Sequence, residues 1–280
     1  MLGALVIVFR EVIEAGLIVG IVMAAARGVA GRAFWVTAGI AGGLIGAALV
    51  AVFADVIANL FQGSGQELFN AAILGVAVIM LGWHTGWMAS HGREMAREMR
   101  RVGSDVAEGR RPLTALAIVV GVAVLREGSE VVLFLYGIVA GGGVSAMGLV
   151  VGGLLGVAAG GLVSALMYFG LLTIPARHLF SVTTKLITLL AAGLASQAVA
   201  FLQSSGTINA LATPLWNSSW LLKDSSIGGR LLKTLVGYTD SPTGMQLIAY
   251  LTTIAAFFLL VRMVHARHAA QHQATLPVKL

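Results

Sequence analysis

Seven stretches of the chain are almost wholly apolar, and polar residues gather in the short intervals between them. They run roughly over 2–26, 34–57, 68–89, 115–139, 146–171, 182–202 and 245–264. Each is long enough for a helix to cross a hydrocarbon core, which takes about 20 apolar residues. A closed barrel would show short alternating runs instead, and helices are the other arrangement that satisfies every backbone polar group in lipid. The pattern therefore predicts an all-α, polytopic membrane protein with seven transmembrane helices in one integral membrane domain over 1–280. No cleavable signal is expected, because Met1–Phe9 has no basic lead-in and Arg10 and Glu11 break the first apolar run.

Composition narrows the class further. The 280 residues are 58% hydrophobic and 11% charged, with a mean hydropathy of +0.92, whereas a soluble domain carries about 25% charged residues. An ordinary cytosolic enzyme, a disordered chain and a coiled coil are excluded. A net charge of +6 would suggest nucleic acid in a soluble protein, but here the basic residues lie between apolar blocks and report orientation. The first, third and fifth connections and the C-terminal tail hold thirteen Lys and Arg, including Arg27, Arg93, Arg101, Arg111, Arg177 and Lys279. The second, fourth and sixth hold three: Lys223, Arg230 and Lys233. The richer side is cytoplasmic, so the N-terminus is expected outside and the C-terminus inside the cytoplasmic (inner) membrane. Nucleic acid is not an expected partner; the lipid bilayer is. With no cysteine, disulfides, thiolate metal sites and cysteine nucleophiles are excluded. No P-loop and no hydrolase or transferase constellation is present, so neither enzymatic activity nor a resident cofactor is expected.

An internal repeat emerges when the charges inside the spans are aligned. Arg10-Glu11-Val12-Ile13-Glu14 in the first span matches Arg126-Glu127-Gly128-Ser129-Glu130 in the fourth, at an offset of 116. Gly42-Gly43-Leu44-Ile45-Gly46 resembles Gly152-Gly153-Leu154-Leu155-Gly156, at an offset of 110. Three spans separate the copies, so equivalent helices cross in opposite directions, as in transporters built from inverted repeats with a site near the midplane. The predicted organisation is a 3+3 inverted repeat plus one extra helix. Repeat one covers about 1–90, repeat two about 113–203, an outer loop about 204–244 and the seventh helix about 245–264. Glycines at four-residue spacing, as in Gly16/Gly20, Gly42/Gly46 and Gly152/Gly156/Gly160, are expected to pack helices closely.

The candidate chemistry lies in the two Arg-Glu-x-x-Glu groups. An ionisable residue at mid-membrane depth costs about 2.5–3.5 kcal/mol on insertion scales and marks a pathway or a paired site. At about 100° per residue, Arg10, Glu11 and Glu14 fall within roughly one third of the helix circumference, and Arg10 lies i,i+4 from Glu14. If the two-fold brings the first and fourth spans together, Glu11, Glu14, Glu127 and Glu130 converge with Arg10 and Arg126 beside them. Four glutamates and two arginines leave a formal charge of −2, which in a low-dielectric setting takes up protons or binds a cation. The donors are hard oxygens, suited to hard multivalent cations. Helix locking by Arg–Glu pairs is the alternative use of the same residues.

On these motifs the chain resembles the oxidase-dependent iron transporter family, and within it the bacterial EfeU-type iron permeases. The resemblance takes in Gln66-Glu67-Leu68-Phe69, Trp83…Trp87-Met88, Leu215-Trp216-Asn217 and Leu235-Val236-Gly237-Tyr238. It implies seven helices, an outside N-terminus, and import of ferrous or ferric iron, with Glu11, Glu14, Glu127 and Glu130 of the motifs binding the metal and Arg10 and Arg126 as supporting charge. It also implies a periplasmic iron-binding protein and a haem peroxidase as partners. Rival readings are a permease of the same fold for another cation, such as lead or manganese, and a non-transporting membrane scaffold or sensor.

Several residues beside the motifs are candidates for accessory roles. Asp55 and Glu67 flank the outer loop and can attract cations at its mouth; a solvated acid is the plainer reading of Asp55, and for Glu67 the two readings stand level. Ser129 either adds a hydroxyl to the site or fills space. His84, inside the third span, can be a ligand or proton carrier, with a hydrogen-bonded interior histidine as the plainer reading. His265, His268 and His272 read as part of a basic tail, Trp83 and Trp87 as interfacial anchors, and Arg93–Glu98 as a charged cytoplasmic helix with local ion pairs. The loop bias makes a direct prediction: tags placed after Arg101 and at the C-terminus are protected in right-side-out cells, while one near Ser225 is labelled from outside. Finding Ser225 on the same side as the C-terminus would remove the seven-span reading.

Overall fold

The computed structural model describes residues 1–60, 65–140, 145–170, 176–224 and 226–274. Among these, eight helices carry the fold: α1 (Leu2–Ala25), α2 (Arg32–Leu60), α3 (Gln66–Ala107), α4 (Thr114–Ala140), α5 (Ala146–Tyr168), α6 (Ala176–Ser204), α7 (Ile227–Val236) and α8 (Gly244–Ala274). Each long apolar stretch of the sequence corresponds to one helix, the first and fifth running slightly past the ends of α1 and α5. Five helices are long and apolar enough to cross a membrane, over Arg32–Val56, Gln66–Met88, Ala146–Tyr168, Ser181–Ser204 and Gly244–Val264. The 24-residue α1 and 27-residue α4 are comparably long but carry three ionisable residues each near their middles.

Two elements depart from the apolar pattern. The third helix continues without a break through the charged stretch Arg93–Glu98, reaching 42 residues. The side chain of Arg93 lies outside the described residues, and packing against α1 is what holds this extension among those described. Met99, Val102 and Val106 are buried, and Gly103 lies so close to α1 that a Cβ there would meet Val22 O at 3.1 Å. At its end, Asp105 accepts from Arg110 Nε and Nη2 at 3.0 and 2.7 Å. These hydrogen bonds hold the Asp105 carboxyl below its ordinary pKa and fasten the turn into α4. The second departure is α7, a short amphipathic helix inside the expected outer loop. Ser226 caps its start by accepting from Gly229 N at 3.0 Å, and Gly237, at φ +70°, ends it in the left-handed conformation that favours glycine. Ser225 lies outside the described residues.

Packing pairs the helices in a crossed manner, α1 lying along α5 and α2 along α4, with α1 also touching α4 and α3 touching α6. Glycine makes the two crossed contacts possible. A Cβ on Gly43 would stand 2.7 Å from Gly121 O and Val124 Cβ of α4. One on Gly156 would stand 2.8 Å from Val8 Cβ and 2.9 Å from Leu5 O of α1. The α5 glycines pack as their spacing predicts. On α2 the packing set is Gly39, Gly43 and Gly46, whereas Gly42 faces open space; the spacing identified a glycine-rich helix but not which of two adjacent faces meets its neighbour.

The apolar interior is divided into two clusters. One gathers Ile7, Leu74, Leu81, Phe134, Ile138, Ile187, Leu194 and Phe257. The other gathers Ile18, Val22, Val36, Met99, Val106, Leu116, Val120 and Val124. Along α1, α3 and α4 the motif residues and His84 fall between the two, in a polar layer closed off by apolar side chains.

The close contacts predict the effect of a single methyl group. Gly43→Ala and Gly156→Ala should each destabilise the fold by about 1–3 kcal/mol, the usual cost of overpacking. Gly153→Ala and Gly161→Ala, which meet nothing within 4 Å, should leave stability unchanged or raise it through helix propensity. Thermal unfolding of the detergent-solubilised protein, followed by size-exclusion fluorescence, separates the two pairs.

Candidate functional site: a buried carboxylate cluster

Three helices bring the site together. Helix α1 supplies Arg10, Glu11 and Glu14 from one face, α4 supplies Arg126, Glu127 and Glu130 from the equivalent face, and α3 inserts His84 between them. Glu127 stands thirteen residues from either end of α4, or about 20 Å at 1.5 Å per residue, which puts the cluster near mid-height. One ligand atom each from Glu11, His84, Glu127 and Glu130 can lie within 4.8 Å of one another. Three of the four motif glutamates thus stand together with His84, and Glu14 lies outside that group.

The glutamates differ in their surroundings. Arg10 Nε lies 2.8 Å from Glu14 Oε1, and its Nη1 lies 3.6 Å from Glu11 Oε1. On α4, Arg126 Nε donates to Glu130 Oε1 at 3.1 Å and stands 3.9 Å from Glu127 Oε1. Both oxygens of Glu11, together with Oε2 of Glu14, Glu127 and Glu130, are buried without a well-formed hydrogen bond, those of Glu14 and Glu130 facing the His84 ring. Buried carboxylate oxygens without donors are costly, and a cation coordinated among them removes that cost.

The two arginines are not equivalent in exposure. Arg10 is 3% exposed at its side chain and Arg126 is 30%. Arg126 rests on the Trp87 ring, its Cζ 4.0 Å from the centroid, and the opposite neighbour of that ring is His91, stacked at 5.2 Å. Trp87 therefore covers the α4 motif instead of serving only as an interfacial anchor. Trp83, 76% exposed, keeps the outward position expected of an anchor.

His84 was the residue whose place the sequence could not fix. It is buried, with Nε2 3.4 Å from Glu14 Oε2 and 3.9 Å from Glu11 Oε2, while Nδ1 contacts Glu130 Oε2. The available signal was its position: in the apolar part of α3, it is the first ionisable residue after Glu67. The other accessory candidates stand apart from the cluster. Asp55 accepts from Tyr136 Oη at 2.9 Å. Glu67 is exposed in the first turn of α3. Ser129 Oγ donates to Leu125 O of its own helix at 2.6 Å. The side chains of His265, His268 and His272 lie outside the described residues.

Comparison with known proteins places this arrangement. The sequence pattern described as the Iron permease FTR1 family matches residues 1–270. The chain belongs to that family. Among similar curated proteins, the ferrous iron permease EfeU of Escherichia coli O6:H1 (strain CFT073) is 30% identical over 244 residues, covering 85% of this chain and 86% of the relative. The ferrous iron permease EfeU of Yersinia pestis is 28% identical over 261 residues, covering 90% and 92%. The EfeU of Shigella sonnei (strain Ss046) is 29% identical over 243 residues, covering 85% and 86%. No solved structure matches the chain. The FTR1-family assignment agrees with the resemblance carried by the motifs, and the apolar helices make this family member an integral membrane permease.

The difference between the arginines yields a prediction about this permease's stability. Arg10→Met leaves two buried carboxylates without their cation and should cost about 3–5 kcal/mol, the usual penalty for breaking a buried pair. Arg126→Met, at a partly exposed position, should cost less and within about 2 kcal/mol. The amounts of folded protein recovered from membranes and the melting temperatures of the two variants test the order.

Proposed function

We propose that the chain imports iron across the cytoplasmic membrane through a site made by its two Arg-Glu-x-x-Glu motifs. Glu11, Glu127 and Glu130 hold the ion at the point of convergence, with Glu14 at the rim and Arg10 and Arg126 as supporting charges. The observation that carries this reading is the group of buried carboxylates that both motifs contribute to one point, Glu11, Glu127 and Glu130 each offering an oxygen within 4.8 Å of the others. Ferrous iron is the substrate favoured by the names of the relatives, and the formal charge of −2 suits a divalent ion. Periplasmic partners, a binding protein and a haem peroxidase, follow from the family resemblance.

Seven spans are proposed: α1 to α6 and α8, with α7 lying in the outer loop, the N-terminus outside and the C-terminus inside. The repeats are then α1–α3 and α4–α6. Their crossed pairing supports this reading, since a two-fold that exchanges α1 with α4 and α2 with α5 turns the α2–α4 contact into the α5–α1 contact. On arrival the cation exchanges water for glutamate oxygens and loosens the arginine contacts. Rocking of one repeat against the other moves access from one side to the other, the two apolar clusters closing the path in turn.

Single Glu→Gln changes at Glu11, Glu127 or Glu130 keep the side-chain size and remove the charge. Each should lower iron uptake into proteoliposomes by about tenfold or more while membrane abundance stays normal. If the motifs serve packing alone, the same changes reduce folded protein by leaving Arg10 or Arg126 without a partner, and uptake per folded molecule is unchanged. Normal uptake in all three variants removes the site.

A further inference from the structure

The cluster includes one donor that the repeated motifs do not supply. His84 belongs to α3, is buried, and reaches carboxylates of both motifs at once. Its Nδ1 is against Glu130 of α4, and its Nε2 is 3.4 Å from Glu14 and 3.9 Å from Glu11 of α1. A neutral imidazole has one nitrogen that donates a proton and one with a free lone pair. In metal sites the lone pair faces the ion while the other N–H donates to a carboxylate, fixing the ring. Glu14 is placed for that second part. It stands outside the group of four converging residues, Arg10 holds its Oε1 at 2.8 Å, and its Oε2 accepts no other hydrogen bond and faces the ring.

We infer that His84 is a nitrogen ligand of the transported cation, with Nδ1 on the ion and Glu14 as the residue that positions the ring. This rests on the carboxylate reading above and adds a nitrogen donor to it. Three carboxylates alone form a hard oxygen site open to Mg²⁺ and Ca²⁺. One imidazole among them shifts preference toward divalent first-row transition ions, whose affinity for nitrogen rises along the Irving–Williams order. The donor atoms lie within 4.8 Å of one another, close to the span of ligands around one ion at bonds of about 2.0–2.2 Å, and Nδ1 and the Glu130 oxygen it contacts separate to admit the ion. Ligand exchange at this site trades bound water for one nitrogen and carboxylate oxygens, with no change of oxidation state.

Mn²⁺ serves as a paramagnetic probe in the full-length protein in lipid nanodiscs. The decisive sample is a variant in which His91, His178, His265, His268 and His272 are all changed to Gln, leaving His84 as the single histidine of the original six. Pulsed electron paramagnetic resonance should detect a directly coupled ¹⁴N nucleus in that sample. His84→Gln in the otherwise unchanged chain should retain Mn²⁺ but lose at least tenfold in preference for Mn²⁺ over Mg²⁺. Glu14→Gln should keep the nitrogen coupling with affinity lowered about 10–100-fold, as for an outer partner of a metal-bound histidine. Bound Mn²⁺ that needs Glu11 but shows no ¹⁴N coupling, or an unchanged Mn²⁺/Mg²⁺ preference in His84→Gln, overturns the role of His84 and leaves the carboxylate site standing. Absence of bound Mn²⁺, or binding that survives Glu11→Gln, overturns both.

Discussion

Crowding of like charge in a dry interior is the constraint on which the rest of the structure depends. Four glutamates from two helices meet near mid-height, and two arginines answer only half of their charge. Taking such groups out of water costs several kcal/mol per ion even after relaxation. A fold with no use for the cluster would lower its energy by replacing it with leucines. The chain instead surrounds it above and below with apolar clusters centred on Phe134 and on Leu116, which keep water from supplying the missing hydrogen bonds. Both the shortage of positive charge and the exclusion of competing solvent follow from this one arrangement.

Holding α1 and α4 close enough to share that layer requires something on their other flanks. Helix α5 lies along α1 and α2 along α4, each through glycines that bring backbones into contact where any side chain would hold them apart. Lipid provides no hydrophobic drive between helices, so close packing of this sort contributes much of the adhesion. The glycines and the glutamates are thus parts of one design. The former set the distance between helices, and the latter depend on that distance for their convergence.

Much of this was legible in the sequence, and the rest failed for identifiable reasons. The motif pairs stood out because charge is rare inside apolar segments, and their matching offset linked α1 with α4 before any contact was known. Periodicity describes one helix at a time, however. It cannot say which neighbour a face meets, so Gly42 looked as well suited to packing as Gly39 or Gly43. For the same reason His84 read as an interior histidine, since nothing in α3 alone reveals that carboxylates from two other helices end beside it. The continuity of α3 was hidden by composition: Arg93, Arg97, Arg100 and Arg101 end the apolar run, so Arg93–Glu98 read as a charged helix apart from the span, whereas Met99, Val102 and Val106 continue a buried stripe along the same helix.

That uninterrupted α3 has a mechanical consequence. At 42 residues it is a rod of about 63 Å, joined to α1 at two levels, through His84 beside Glu11 and Glu14, and through Gly103 against Val22 and Ala25. A rod fastened to its neighbour at two heights cannot pivot about either fastening alone. The α1–α3 pair therefore acts as a strut that keeps Glu11 and Glu14 at one height against His84.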